Sequence, residues 1–244
     1  LEGPALENII NELMRVPYLE EIIIGLDKAN LTQFEHAKEY FRRLPQHHRI
    51  LWNDGPRMRA LDKLLIEESI APREMGKGRN AWYCFGYFNA SDRSEAVALH
   101  DCDIVTYSRH VLARLFYPVV DPTFNYKFCK GYYYRADDRK LNGRVARLLV
   151  TPLLRTLKRF FGSDYFLEYL DSFRYPLAGE FSMRADVTKT IRIPSDWSLE
   201  IGILTEVIRT NAIGRICQVD IADRYDHKHQ SLSEDDPNAG LSKM

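Results

Sequence analysis

The feature that most constrains the fold of this chain is the alternation of strand-like and helix-like segments along about its first hundred residues. Apolar residues at helical spacing predict helices over 5–16, 31–45, 56–69 and 77–90. Short apolar runs predict strands over 20–26, 49–52 and 95–100. Strands that alternate with helices of this length are typical of a parallel sheet covered by helices on both faces. We therefore expect an α/β fold with a mainly parallel central sheet and right-handed crossovers.

The rest of the chain follows another pattern. The segments predicted there are an aromatic-rich strand over 126–135, a helix over 198–211 and a last strand over 215–221. Residues 143–160 are helical in pattern, and we expect Pro152 to kink or break that helix. Ser198 stands where it can cap the helix that follows it.

The composition excludes several classes of protein. The 244 residues carry 34 basic and 34 acidic side chains, whereas a general nucleic-acid binder has a basic excess, so we expect no nucleic-acid partner. No apolar run approaches the ~20 residues that cross a bilayer, and no leader is visible. The four cysteines form no Cys-x-x-Cys pair, which suits a reducing compartment. We therefore expect a cytoplasmic protein without a membrane span.

Two carboxylates, Asp101 and Asp103, directly follow the third predicted strand, with Cys102 between them. Ligands of open α/β sheets bind at the carboxyl ends of strands, and neighbouring carboxylates repel each other unless a cation lies beside them. Magnesium and manganese prefer such oxygen ligands and commonly share them with substrate phosphates. Because Asp-x-Asp also occurs in ordinary loops, its position after a strand is what supports the prediction of a metal site.

A basic, glycine-containing loop opens the fourth predicted helix. Gly76 and Gly78 flank Lys77, so backbone amides, a helix N-terminus and a lysine charge could all meet a phosphate. The spacing is not that of a P-loop, so ATP hydrolysis is not supported. An ordinary surface turn is the alternative.

Four further residues could contact an acidic or hydroxyl-bearing ligand. Gly143 and Arg144 open a predicted helix, where amides and a guanidinium group could hold a carboxylate or phosphate. Glu180 and Glu200 stand among apolar residues, where burying a carboxylate is costly without a partner or a role. The alternatives are a solvated helix start for the first pair, and a helix cap and a buried ion pair for the glutamates.

Two histidines, His227 and His229, follow the last predicted strand. Histidine is a frequent metal ligand, so one of them could add a nitrogen to the oxygens of Asp103. A solvated polar turn is the alternative for this segment.

Six short motifs occur in one order along the chain. They are Gly76-Lys77-Gly78, Asp101-Cys102-Asp103, Gly143-Arg144-Val145 with Pro152-Leu153-Leu154, Pro176-Leu177-Ala178-Gly179-Glu180, Leu199-Glu200-Ile201-Gly202, and Gln218-Val219 with a histidine near 227. In this order and spacing the sequence, from about residue 22 to 229, resembles the glucosyl-3-phosphoglycerate synthase family of retaining glycosyltransferases, which also includes mannosyl-3-phosphoglycerate synthases. The resemblance implies a GT-A fold, in which a Rossmann-like nucleotide-binding part precedes an acceptor-binding region, and subunits that often pair as homodimers.

The resemblance also implies a reaction and a set of site residues. A hexose would move from a nucleoside-diphosphate sugar of the UDP-glucose or GDP-mannose type to a small acidic acceptor such as 3-phosphoglycerate or glycerate, with Mg²⁺ or Mn²⁺. By position, the metal ligands would be Asp103 and His227. The donor-binding residues would be Asp27, Lys77, Asp101, Cys102, Asp103 and Gly179, and the acceptor-binding residues Gly143 and Arg144. Glu180 and Glu200 would line the reaction centre, where we assign them to positioning, with a general-base role as the alternative.

The sequence departs from the family pattern in four places, one of which is the extra His229, which leaves open which histidine would bind the metal. Ala146 stands where the family usually has a threonine that binds phosphate, so glycerate or another acceptor becomes plausible. Lys28 follows Asp27, where a turn rich in serine and glycine is expected. A first buried strand, with its nucleotide contacts, is expected before the first helix and is missing from this sequence.

We divide the chain into a nucleotide-sugar-binding part (1–125), an acceptor-binding and catalytic part of the same domain (126–229) and a polar tail (230–244).

Three other functions are compatible with these residues. They are an inverting GT-A glycosyltransferase that builds a polysaccharide or glycolipid, a nucleotidyltransferase, and a nucleotide-sugar-binding protein without turnover. An inverted anomeric configuration of the product would reveal the first, release of pyrophosphate the second, and donor binding without transfer the third.

Overall fold

The computed structural model describes residues 3–134, 143–223 and 225–226, which form nine α-helices and six β-strands. The helices are α1 (Pro4–Leu13), α2 (Leu31–Phe41), α3 (Pro56–Glu67), α4 (Lys77–Ser91), α5 (His110–Val120), α6 (Thr151–Phe161), α7 (Tyr165–Asp171), α8 (Ala185–Thr188) and α9 (Leu199–Thr210). The strands are β1 (Ile22–Leu26), β2 (His48–Trp52), β3 (Ala96–Leu99), β4 (Phe128–Tyr133), β5 (Phe181–Arg184) and β6 (Ile216–Ala222). His227, His229 and the tail 230–244 lie outside the described residues.

The strands form a two-stranded and a four-stranded sheet. β1 and β2 pair in parallel, and the larger sheet has the order β3-β5-β4-β6. β4 and β6 are parallel, whereas β5 runs antiparallel to both of its neighbours. The α/β class is confirmed, but the described pairing is more mixed than we expected, because β5 is a short strand that the sequence pattern did not reveal.

The two sheets face a common cavity through open strand edges. The residues of β1 from Ile22 to Gly25 and all of β3 line this cavity. Within the described ranges, no strand pairs with the second edge of β1 or with that of β3. The first strand that the family resemblance implies therefore remains a prediction.

Two hydrophobic cores support the larger sheet, and the first of them also packs against β1 and β2. The first contains the apolar face of α1, where Leu6, Ile9, Ile10 and Leu13 recur at helical spacing and pack with residues of α2 and α5. The second joins α4, α7 and α9 to β4 and β5. Since burying a side chain such as leucine contributes about 1.5–3 kcal/mol, these cores fix the strand ends at which the site lies.

Of two local expectations from the sequence, one was met in part and one was wrong. Pro152 does not end its helix, but an irregular π-helical turn, Ala146–Val150, stands directly before it and continues into α6. The hydroxyl of Ser198 does not cap α9 in the described structure, because it donates to the Asp196 carboxylate at 2.5 Å.

The sequence pattern also missed four elements, namely α5, α7, α8 and β5. Of these, α5 contains Pro118 in its interior, which argues against a helix when the sequence is read alone.

Among the described residues, none of the helices has the length and apolar character needed to cross a membrane.

Candidate active site

Most of the predicted site residues line one large cavity. It has a volume of about 2420 Å³ and reaches from the ends of β1 and β3 to the segment before α6. The predicted residues in its lining are Lys77, Asp101, Cys102, Asp103, Gly143, Arg144, Gly179 and Glu200. The structure therefore brings donor-binding, metal-binding and acceptor-binding candidates from distant parts of the sequence into one place.

Lys77 lies between two carboxylates at the start of α4. Its Nζ is 2.6 Å from Asp101 Oδ1 and 2.9 Å from Glu200 Oε1. Burial alone would lower the pKa of Lys77, but the two carboxylates outweigh it and raise that pKa above its ordinary value. Lys77 is therefore a permanent cation at the cavity wall, where it can meet a phosphate.

The loop before α4 places backbone amides beside this lysine. Gly76 has a φ of +149°, a conformation that side chains rarely adopt, and α4 begins at the next residue. The first N–H groups of a helix lack intrahelical partners and carry partial positive charge. The loop thus supports the predicted phosphate site, although it has no P-loop spacing.

Gly179 approaches the ion pair so closely that no side chain fits. A Cβ on Gly179 would lie 2.6 Å from Lys77 Nζ and 2.7 Å from Asp101 Oδ2. Real Cβ atoms essentially never come this close to another heavy atom. The glycine therefore lets the segment before β5 form the floor of the site directly beneath Lys77 and Asp101.

Glu180 lies behind the cavity rather than in its lining. Its side chain is completely buried, and Tyr225 donates its hydroxyl hydrogen to Glu180 Oε1 at 2.6 Å. The other oxygen, Oε2, has no hydrogen-bond partner among the residues described. Burial, reinforced by the nearby charge of Asp101, raises the pKa of Glu180 to about 7. This position favours a supporting role over direct contact with a sugar.

Glu200 lies in the first turn of α9 and does line the cavity. A carboxylate near a helix N-terminus is stabilised by the helix dipole, and this one also pairs with Lys77. Glu200 therefore gives Lys77 a second carboxylate partner besides Asp101. A buried ion pair was the alternative expected for this residue, and the structure shows a half-buried ion pair with Lys77 within the candidate site itself.

The metal that the resemblance implies fits the aspartates. Asp101 and Asp103 both line the cavity, and one oxygen of Asp101 is already paired with Lys77. In the described part of the chain, no cluster of three or more His, Cys, Asp or Glu side chains could hold a metal ion by itself. Magnesium is usually bound by one or two carboxylates together with substrate phosphates, and manganese accepts the same ligands, so a cation that binds with a diphosphate suits this site. His227, the predicted nitrogen ligand, is outside the described residues.

The acceptor-binding candidates lie at another part of the cavity wall. Gly143 has a φ of +75°, which favours glycine, and the exposed Arg144 begins the helical turn that follows. Ala146, where the family usually has a threonine, is buried and offers no hydroxyl. An anionic acceptor would therefore meet the Arg144 guanidinium but no side-chain donor at position 146.

Asp27 belongs to a largely buried polar cluster at the ends of β1 and β2. Arg79 donates to Asp27 Oδ1 at 2.7 Å and to Asp54 Oδ1 at 2.9 Å, and Asn53 donates to Asp27 at 3.0 Å. Asp27 is not part of the cavity lining, so its predicted nucleotide contact stays a prediction. The sequence analysis missed Arg79 and Asn53. Asn53 directly follows β2, as Asp27 follows β1, and this was an available signal for Asn53, whereas Arg79 lies on α4.

Lys130 is a second residue that the sequence analysis missed. It lies on β4 with only 1% of its surface exposed, and its Nζ donates to the carbonyl oxygen of Ala178 at 2.5 Å. The available signal was a lysine flanked by Cys129 and Gly131 inside an aromatic-rich strand, where a charge is unexpected.

The fold defines the class of this protein as a GT-A type α/β protein. A similar solved structure is that of glucosyl-3-phosphoglycerate synthase from Mycobacterium tuberculosis in complex with phosphoglyceric acid, with a TM-score of 0.68, 20% identity, and coverage of 96% of this chain and 70% of that chain. The same enzyme in complex with Mn²⁺, UDP and glucosyl-3-phosphoglycerate has a TM-score of 0.67 at 20% identity, with the same coverage. Mannosyl-3-phosphoglycerate synthase from Rubrobacter xylanophilus has a TM-score of 0.67 at 22% identity, covering 94% of this chain and 65% of that chain. At these identities the likeness establishes the fold alone.

The sequence relatives are more specific. The chain is 45% identical over 243 residues to glucosyl-3-phosphoglycerate synthase of Persephonella marina and 42% identical over 247 residues to that of Methanococcoides burtonii. Each match covers 100% of this chain and 60% of the relative, so the chain spans about three-fifths of their length. No family model matches the sequence. The predicted resemblance to glucosyl-3-phosphoglycerate synthases is therefore confirmed.

Proposed function

We propose that this chain carries the sugar-transfer site of a glucosyl-3-phosphoglycerate synthase, which moves glucose from UDP-glucose to 3-phosphoglycerate with Mn²⁺ or Mg²⁺. The observation that carries the proposal is Lys77, held between Asp101 and Glu200 directly above Gly179. The names of the two relatives support the reaction. A structure of the M. tuberculosis enzyme with Mn²⁺, UDP-glucose and phosphoglyceric acid, which shares 18% identity, favours UDP-glucose among the donors that the sequence left open.

The chemical task is to break the bond between the sugar and the diphosphate. Negative charge builds up on the departing diphosphate, and Lys77 with the amides at the start of α4 can stabilise it. A divalent cation beside Asp101 and Asp103 would supply Lewis-acid stabilisation of the same charge. Glu200 would keep Lys77 in place, so that the Lys77 ammonium group is already oriented when negative charge develops on the diphosphate.

The acceptor would be held by Gly143 and Arg144. The Arg144 guanidinium can bind a carboxylate or phosphate in a bidentate manner, and the φ of Gly143 allows the chain to turn sharply beside it. As in the retaining enzymes that the sequence resembles, the acceptor hydroxyl would approach from the face that the diphosphate leaves. Its proton can then pass to the leaving phosphate, so Glu180 and Glu200 are not needed as bases.

A donor-by-acceptor screen tests this proposal. UDP-glucose and GDP-mannose are combined with 3-phosphoglycerate and glycerate in the presence of Mn²⁺ or Mg²⁺, and the released nucleoside diphosphate is measured. We expect release that requires UDP-glucose, 3-phosphoglycerate and metal together. Ala146 offers no hydroxyl to a phosphate. If nucleoside diphosphate is released with glycerate but not with 3-phosphoglycerate, the acceptor is glycerate. Pyrophosphate release, an inverted product, or binding without transfer would overturn the reaction.

Three further properties remain predictions within this proposal. They are the division of the chain at 125/126 and 229/230, a homodimeric assembly, and a cytoplasmic location. Light scattering during gel filtration measures the assembly directly, and fractionation of the source cells tests the location.

A further inference from the structure

A charged side chain lies in the middle of the larger sheet. Lys130 is on β4, and its neighbours in register are Phe181 on β5 and Gln218 on β6. Its Nζ lies 5.6 Å from the centroid of the Phe181 ring. Burial lowers the pKa of Lys130 to about 8, although Glu200 and Glu180 act in the opposite direction. Burying a lysine is costly, and an apolar residue of similar volume is often at least as stabilising.

Lys130 fastens the segment that forms the floor of the candidate site. Its Nζ donates to the carbonyl oxygen of Ala178 at 2.5 Å. One residue further along β4, the N–H of Gly131 donates to the carbonyl oxygen of Glu180 at 2.9 Å. The two bonds hold both neighbours of Gly179 against β4, so they determine how far Gly179 reaches toward the cavity.

The position of Gly179 in turn limits where the side chains of Lys77 and Asp101 can lie. Gly179 is in such close contact with Lys77 and Asp101 that even a methyl group would have to displace them. A shift of the Ala178 carbonyl would therefore move Gly179 and, through this contact, displace Lys77 and Asp101. Both of these side chains line the cavity in which the diphosphate and the sugar of the donor would lie.

We infer that Lys130 is a positioning residue for the donor site, which acts by holding the Ala178 carbonyl and thereby Gly179 beneath Lys77 and Asp101. The inference rests on the proposed function, since it concerns how that donor is held. Lys130 touches no substrate in this account. Removal of the Lys130 side chain should therefore weaken donor binding and leave acceptor binding unchanged.

The test compares Lys130→Met with Phe128→Leu. Phe128 is two residues earlier on the same strand, completely buried, and stacked on the same Phe181 ring, so its variant controls for general loosening of the sheet. The affinity for UDP-glucose with Mn²⁺ is measured by calorimetry, and KM for each substrate by nucleotide release. We expect Lys130→Met to lose about tenfold in donor affinity with an unchanged acceptor KM, and Phe128→Leu to retain both.

A double-mutant cycle with Gly179→Ala separates this role from a merely structural one. If Lys130 acts through Gly179, the two substitutions perturb the same contact, and their effects on donor affinity fall clearly short of multiplicative. Should Lys130→Met fail to fold, Lys130→Gln, which keeps a donor on a shorter side chain, is measured in the same way with the same expectation.

Three results would overturn the inference while leaving the proposed function intact. They are wild-type donor affinity in the Lys130 variant, an equal loss in Phe128→Leu, and multiplicative effects in the cycle. If the unaltered protein itself binds no UDP-glucose, the proposed function fails, and the role of Lys130 falls with it.

Discussion

Replacing Gly179 with alanine should disable the donor site without unfolding the protein. The new methyl carbon would lie 2.6 Å from Lys77 Nζ, whereas ordinary contacts begin at 3.4 Å, so the ammonium group must retreat by about 0.8 Å. Asp101 Oδ2, at 2.7 Å, must move by a similar distance. Both atoms are the far ends of side chains, which move at little cost, so we expect the free energy of unfolding to change by less than about 1 kcal/mol. A misplacement of about 1 Å in an active site costs roughly 100-fold in rate.

The expected result is therefore a fall in kcat/KM of about 100-fold, which corresponds to about 2.7 kcal/mol of transition-state stabilisation. UDP release gives the kinetics, and chemical denaturation gives the stability. Gly86→Ala is the matched control, because Gly86 lies within α4 with open space around its Cβ position. It should gain about 0.5–1 kcal/mol of stability and keep full activity. Activity of Gly179→Ala within twofold of the unaltered protein would refute the steric reasoning.

The remaining predictions concern the metal, the acceptor and acid stability. Asp103→Ala should abolish metal-dependent UDP release while leaving thermal stability almost unchanged; retention of more than a tenth of the activity would argue against its role as a ligand. Arg144→Ala should raise KM for the acceptor by at least tenfold, about 1.4 kcal/mol, with the donor KM unchanged, and an equal rise for both substrates would contradict the assignment. Hydrogen bonds from Arg209 and Arg192 lower the pKa of Glu206 to about 2. Because this pKa is depressed in the folded state, the stabilisation is complete above the ordinary glutamate pKa of 4.5 and is lost as the pH falls toward 2. Glu206→Gln should cost roughly 1–2 kcal/mol at pH 7 and flatten that acid dependence in urea titrations; an unchanged acid dependence would refute the pairing.

Local periodicity was sufficient for the elements from α1 to β3. β1 and β2 were recognisable because short apolar runs stand between amphipathic helices, and their predicted bounds differ little from the observed ones. β5 was not recognisable, because its four residues include Ser182 and Arg184 and so form no apolar run like that of β3. Its antiparallel direction depends on tertiary packing between β3 and β4, which no local pattern encodes.

The candidate site was predictable where its residues lie in short sequence motifs. Lys77 and Asp101 were identified from the loop and from the end of a strand, and the structure brings them to 2.6 Å of each other. Lys130 and Arg79 were missed because their importance depends on burial and on partners distant in sequence. The resemblance also suggested that Glu180 lines the cavity, whereas it lies behind it, since alternate residues of an extended segment point to opposite sides.

The most direct test of the account is a crystal structure with Mn²⁺ and UDP, using the anomalous signal of manganese. The account predicts a manganese peak at coordinating distance from the Asp103 carboxylate and the diphosphate, with Lys77 within hydrogen-bonding distance of the diphosphate. A nucleotide bound in the cavity with the metal remote from Asp103, or a nucleotide bound elsewhere on the protein, would contradict it.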